Sequence, residues 1–241
     1  MVQRGSRLLI SSLEPMSWSE LSEWWLAELA SDPAYEDVIT PLLLEIFSPE
    51  RASRYLDLGS GDGRLIKAMS ARGSIVHGVE LNQDLAEHSD TVVVVAALPD
   101  LEFLRSDSYD GAYCVLTLEH IPDHQAFFAA VGRVVKSDGV LAVVMNHPTW
   151  TAPGSTPITD SDGEILWRPG DYFSFGKTDE PTGSGKVTFH HRSMAELLNS
   201  ASSSGWALEQ MVERPHHDIE EQAGIPRLLA CRWRLSPGVA R

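Results

Sequence analysis

The stretch Y-L-D-L-G-S-G-D-G-R-L, Tyr55 to Leu65, decides the fold. An apolar run (Tyr55, Leu56, Leu58) leads into glycines at alternate positions, Gly59, Gly61 and Gly63, and a helix-like segment, Arg64 to Met69, follows. That order reads as strand, tight turn, helix. Glycines at such a turn let the backbone take positive φ and pass close to a ligand with no Cβ in between. The spacing is not that of the dinucleotide fingerprint, and a glycine pattern alone says little. A second strand, Ser74 to Val79, leads directly into Glu80, where a carboxylate can accept both hydroxyls of a ribose.

Three further motifs follow in order. They are V-E-L-N (79–82), Y-D-G-A-Y-C-V-L-T-L-E-H-I-P-D (109–123) and V-V-K-S-D-G-V-L (134–141). Together with the glycine loop they resemble the motifs of the class I S-adenosylmethionine-dependent methyltransferases, small-molecule type, from about Trp24 to Leu235. The resemblance implies a Rossmann-like, doubly wound α/β fold with a seven-stranded sheet whose last strand is antiparallel. An N-terminal helical cap and a long insert after strand five would complete it. It also implies S-adenosyl-L-methionine as cofactor and S-adenosyl-L-homocysteine as product. By the same resemblance, Gly59, Ser60 and Gly61 pass beside the methionine and ribose, and Asp57 orients the loop or meets the amine through water. Glu80 binds the ribose, Leu81 packs on the adenine, and Val115 closes the set from the fourth strand.

One motif departs from the family pattern. An acidic residue often follows strand three to accept the adenine amino group, but Ala97 stands at that position here. The expectation is that the backbone of Ala97 and Leu98 reads the ring, with Asp100 taking part only if the loop turns differently.

Methyl transfer is an in-line displacement at an activated carbon, so positioning supplies much of the rate, and a base is needed only where a proton leaves. Ligands in open α/β sheets sit at the carboxyl ends of the strands. That points to His120 and Glu119 past strand four and to His147 past strand five, with His190 and His191 further on. His120 also reads as a structural hydrogen-bonding residue, His147 as the lead into a loop, and H-H-R-S (190–193) as a helix cap around Ser193. Some relatives hold a divalent ion with E-x-x-E-H. Leu116 replaces the first glutamate here, and two adjacent ligands do not make an inner sphere for Mg²⁺, so no metal is expected.

At 241 residues, 43% hydrophobic, the chain suits one α/β domain with additions. A net charge of −15 and the lack of a Lys/Arg cluster argue against nucleic acid as partner. No run is apolar and long enough to span a membrane. Cys114 and Cys231 lie in separate strand-like runs and read as reduced, buried residues of a cytoplasmic protein. The expected partner is a small-molecule acceptor. The competing readings are a cofactor-binding protein without transferase activity and a nicotinamide-dependent oxidoreductase, since fold does not fix function.

Along the chain, residues 1–15 read as a disordered lead, with Met16 as an alternative start. Residues 16–50 read as a helical cap carrying Trp24 and Trp25, 51–146 as the cofactor-binding core, and 187–241 as a late helix and β-hairpin. Between them, 147–186 is rich in Pro, Gly, Ser and Thr yet holds Trp150, Trp167, Tyr172 and Phe173. Disordered segments are poor in aromatics, so this insert is expected to be functional, a lid over the mouth of the cofactor cleft.

Overall fold

The structure is a computed structural model that describes residues 26, 33–182, 185–215 and 222–237. The proposed lead and the helix bearing Trp24 and Trp25 lie outside the described residues.

Each apolar run of the sequence becomes a strand. β1 (Arg54–Leu58), β2 (Ile75–Glu80), β3 (Val93–Val95), β4 (Tyr109–Val115) and β5 (Val135–Asn146) pair in parallel. β10 (Trp206–Pro215) and β11 (Pro226–Leu235) complete a seven-stranded sheet in the order β10-β11-β5-β4-β1-β2-β3. β11 runs antiparallel to both neighbours, as expected of the last strand. The order reverses between β1 and β4, and ligands of open α/β sheets bind in the crevice at such a reversal.

The strands read as unbroken apolar runs because both sheet faces are covered. In β4, Ala112 and Cys114 pack into one buried cluster while Tyr113 and Val115 pack into the other. The first cluster is sealed by α4 (His124–Val134) and α6 (Met194–Ser203), and Phe127, Phe128, Trp206 and Trp233 are fully or almost fully buried there. The indole N–H of Trp206 donates to the Phe128 carbonyl at 2.9 Å, which removes the cost of burying it. The second cluster lies under α1 (Thr40–Phe47) and α2 (Arg64–Ser70), with Phe47 edge-on to Tyr55 and Tyr113. A single π-helical turn, Tyr35–Ile39, leads into α1.

Helix starts follow side-chain chemistry. Asn82 caps α3 (Gln83–Ala86) by accepting the Leu85 N–H, and Asp123 caps α4 through Ala126. Ser193 caps α6 through the Glu196 N–H, so the H-H-R-S segment is a cap as one reading of the sequence had it.

The insert is more ordered than its composition implies. After α5 (Pro148–Thr151) it forms two antiparallel hairpins, β6 (Thr156–Thr159) with β7 (Ile165–Arg168), and β8 (Lys177–Thr182) with β9 (Gly185–His190). The second hairpin crosses the expected boundary at residue 186. The alternating T-F-H of β9 pairs with a strand whose own sequence, K-T-D-E-P-T, carries no apolar signal.

Candidate active site

The glycine turn is built by contacts that exclude other residues. Gly59 has φ +81°, and a Cβ there would lie 2.2 Å from the Thr117 hydroxyl oxygen. Thr117 is held in place by donating to the Val115 carbonyl at 3.0 Å. The Gly59 and Ser60 N–H groups both donate to the Val79 carbonyl, at 2.8 and 3.0 Å, which folds the loop back onto β2. Gly78 in β2 makes room for it: a Cβ there would meet the Ser60 hydroxyl at 2.5 Å. Gly61 differs. Its φ is +53°, and nothing lies within 4 Å of where its side chain would be.

Glu80 joins strand to loop. One carboxylate oxygen accepts the Gly61 N–H at 2.8 Å and the other accepts the Asn82 N–H at 2.9 Å. Each carboxylate oxygen offers about two lone pairs, so one site per oxygen stays available for a vicinal diol. Around this core a cleft of about 180 Å³ opens at the strand ends, between the glycine loop and the segments after β2, β3 and β4. Gly59, Ser60, Gly61, Glu80, Leu81, Ala97, Leu98, Val115 and His120 all line it. Its apolar side, with Leu81, Leu85, Leu98 and Val115, suits a flat heterocycle. Asp100 is not part of the lining. It is exposed, and its carboxylate accepts the Glu102 N–H at 3.0 Å.

Asp57 sits behind the loop, fully buried and absent from the cleft wall, in register with Gly78 and Tyr113 inside the sheet. Burial pushes its carboxyl well above the usual carboxylate range. The Tyr113 hydroxyl pulls the other way without reaching hydrogen-bond geometry, and the Glu80 charge adds to the rise. Of the two roles expected of it, orienting the loop suits this place beneath the turn, behind the residues that line the cleft.

The two proposed bases part company. His120 stands in the short 3₁₀ turn Leu118–His120 at the cleft, and its Nδ1 lies 2.8 Å from the Thr188 carbonyl oxygen. A carbonyl only accepts, so Nδ1 carries the proton and Nε2 is the acceptor nitrogen of the neutral ring. His147 does not line the cleft. Its Nδ1 accepts the Thr149 N–H at 3.1 Å, capping α5, and its Nε2 lies 2.8 Å from the Glu213 carboxylate. Burial lowers its pKa against the pull of Glu213. Pro148 turns the chain into α5 there, which gives the imidazole a structural place instead of the catalytic one expected.

His191 is also structural. Fully buried, it donates from Nε2 to the Tyr172 carbonyl at 2.8 Å and takes the Thr151 hydroxyl at Nδ1, 3.1 Å away. Glu119 is fully buried too, accepting both the backbone and the side-chain N–H of Asn146 at 3.1 and 2.8 Å. Among the described residues no group of three or more His, Cys, Asp or Glu could hold a metal.

Sequence reasoning missed Tyr35, Arg64 and Thr117. Arg64, at the start of α2, pairs with Asp62 at 2.9 Å and lies 5.0 Å over the Tyr35 ring, so the turn before α1 becomes one wall of the cleft. The D-G-R run carried a faint signal for the pair, while Tyr35 carried none. Of the insert, expected as a lid, no described residue belongs to this lining.

A family profile described as a methyltransferase domain matches residues 56–143, the span holding the glycine turn, Glu80 and the β4 motif. Over that span the chain is similar to a methyltransferase domain. A ubiquinone biosynthesis O-methyltransferase from Paracidovorax citrulli is 30% identical over 144 residues, 54% of this chain and 60% of that protein. The chain thus spans under two thirds of that relative's length. A solved S-adenosylmethionine-dependent methyltransferase from Mesorhizobium loti superposes with a TM-score of 0.72 at 24% identity, covering 86% of this chain and 99% of the other. A second structure, from Listeria monocytogenes, gives 0.73 at 20% identity, covering 82% and 99%. Both extend the likeness of fold beyond residues 56–143 to most of the chain.

Proposed function

We propose that this protein transfers the methyl group of S-adenosyl-L-methionine to a small-molecule acceptor and releases S-adenosyl-L-homocysteine. The observation that carries this reading is the Glu80 carboxylate, bonded to the Gly61 N–H of an otherwise open glycine turn. Bound there, the cofactor supplies a methyl carbon on a positively charged sulfur, open to in-line attack by a lone pair. Glu80 takes the ribose hydroxyls, and Gly59, Ser60 and Gly61 bring bare backbone to the methionine part. Leu81, Ala97, Leu98 and Val115 enclose the adenine.

The similarity to ubiquinone biosynthesis O-methyltransferases favours an oxygen acceptor. His120 then has a task, because a hydroxyl must lose its proton as the bond to carbon forms, and Nε2 is the basic nitrogen at the cleft. No helix among the described residues is long and apolar enough to cross a membrane. The unpaired, buried Cys114 and Cys231 favour the reducing cytoplasm.

Thermal shift tests the reading. S-adenosylhomocysteine at about 100 times its dissociation constant should stabilise the fold by about 2.7 kcal/mol, while NAD at the same concentration does nothing. Stabilisation by NAD alone overturns it. Labelled methyl transfer to a substrate mixture then separates an enzyme from a protein that only binds.

A further inference from the structure

A second cavity, about 330 Å³ against about 180 Å³ for the cleft, opens between the insert and the start of β11. Its walls are aromatic and hydroxylic. Trp150 and Trp167 stand with ring centroids 4.3 Å apart, Phe189 adds a third ring, and Thr151 and Thr178 are among the hydroxyls. On a chain of net charge −15, none of the described residues that line it is acidic, and Arg227 is the one cation among them. Its guanidinium lies 4.5 Å from the centre of the Trp150 ring.

Arg227 is deliberately held. Its Nη1 donates to the Asn146 side-chain oxygen, and the Asn146 amide nitrogen in turn donates to Glu119 at 2.8 Å. The amide is thus fixed by a donor on one side and an acceptor on the other. Burial works against the guanidinium's charge, and the nearest compensation is Glu119, one residue removed behind Asn146. Among the described residues no carboxylate forms an ion pair with Arg227. Trp167 Nε1 and Thr178 Oγ1 are buried with no hydrogen-bond partner there. Buried donors without acceptors are costly, and a bound acceptor group would satisfy them.

The cavity is one pair of rings from the cleft. Phe189 lines the cavity, His120 lines the cleft, and their ring centroids are 4.7 Å apart.

We infer that this cavity is the acceptor pocket, and that it takes an aromatic carboxylic acid, with the carboxylate on Arg227 and the ring among Trp150, Trp167 and Phe189. A planar, always-charged fork matches a carboxylate edge to edge, and aromatic walls bind a flat ring through area and stacking. The word acceptor rests on the methyl-transfer reading, but the ligand class does not.

The test uses the full chain saturated with S-adenosylhomocysteine, titrated in a calorimeter with benzoate, 3,4-dihydroxybenzoate and indole-3-acetate, each beside its methyl ester. At least one acid should bind tenfold or more tightly than its ester. Arg227→Gln should bring acid down to ester while leaving S-adenosylhomocysteine affinity within twofold. Equal binding of every acid and its ester by the wild type, or an undiminished preference in Arg227→Gln, overturns the inference. Should Arg227→Gln not fold, Trp167→Ala replaces it. Tenfold weaker binding of both acid and ester with the preference intact is expected, and unchanged affinity overturns the pocket. A wild type that binds the acids but not S-adenosylhomocysteine would leave the pocket standing and sink the methyl-transfer reading alone.

Discussion

The Glu80 carboxylate accepts the Gly61 N–H at 2.8 Å, so the acidic end of β2 and the glycine turn after β1 form one unit. The same oxygens that would receive the ribose hold the loop in shape. Glu80→Ala should therefore act twice, removing a charged acceptor and releasing the turn. Calorimetry should show S-adenosylhomocysteine binding weakened by about 1.5–3 kcal/mol, the range for hydrogen bonds to a charged group. An unchanged dissociation constant would mean the ribose is held elsewhere.

Gly59 and Gly61 should fail differently. Gly59→Ala pays about 1–2 kcal/mol for its left-handed backbone, and about 1–3 more for overpacking against Thr117. At roughly 2–4 °C per kcal/mol for a chain of this size, the melting temperature should fall by roughly 4–20 °C. Gly61→Ala has open space and should cost about 1–2 kcal/mol from backbone alone. Its larger effect should be on cofactor affinity, since the new methyl group enters the space the ligand needs. Equal melting temperatures for the two variants would show that the Thr117 contact does not discriminate between them.

How much of this was legible follows from how each feature is encoded. The strand positions could be read because strands buried on both faces leave unbroken apolar runs such as 140–145, while the sheet's topology and its antiparallel last strand were implied only by the resemblance that the four ordered motifs carry. The second cavity could not be read. Arg227 meets Asn146 across 81 positions of sequence, and each looks ordinary in its own neighbourhood. His147 misled for a related reason. A histidine just past a strand end has the same sequence signature whether it faces the cleft or, as here, caps α5 and meets Glu213.

Acid should destabilise the fold in part through His124. Buried in α4, it donates from Nε2 to the Leu118 carbonyl at 3.2 Å. Burial, then the charge of Arg192, pushes its pKa from 6.5 down to about 4. The folded state holds the neutral ring while the unfolded chain takes up a proton below its own pKa. Stability from this group is therefore complete above pH 6.5 and is lost as pH falls toward 4. The loss is on the order of 3 kcal/mol across that window. Chemical denaturation at several pH values should give a shallower slope for His124→Gln than for the wild type. Parallel slopes would assign the acid sensitivity to other groups.

Turnover should persist in EDTA. The Glu119 carboxylate is turned inward to Asn146, away from His120, and no group of three or more His, Cys, Asp or Glu among the described residues could hold a metal. Loss of activity with chelator, restored by Mg²⁺, would restore the metal-dependent reading of this pair.

The β6–β7 hairpin gives the cleanest separation of cofactor from acceptor binding. It contributes Thr156, Pro157 and Trp167 to the second cavity and nothing to the cleft. It is lightly packed, its residues alternating between half-buried and exposed. Its ends are close in space, since a Cβ on Gly170 would lie 2.5 Å from the Ser155 nitrogen. A short Gly-Ser link can therefore replace residues 156–168 without pulling on β5 or β8. The shortened protein should bind S-adenosylhomocysteine within twofold of the full chain, because Gly61, Glu80 and the apolar cleft wall are untouched. Turnover should be lost, because the acceptor loses a wall that excludes water and holds its ring in line with the methyl carbon. Collapse of cofactor affinity would place the hairpin in the cofactor site after all. Surviving turnover would make it decoration, with the acceptor bound inside the cleft itself.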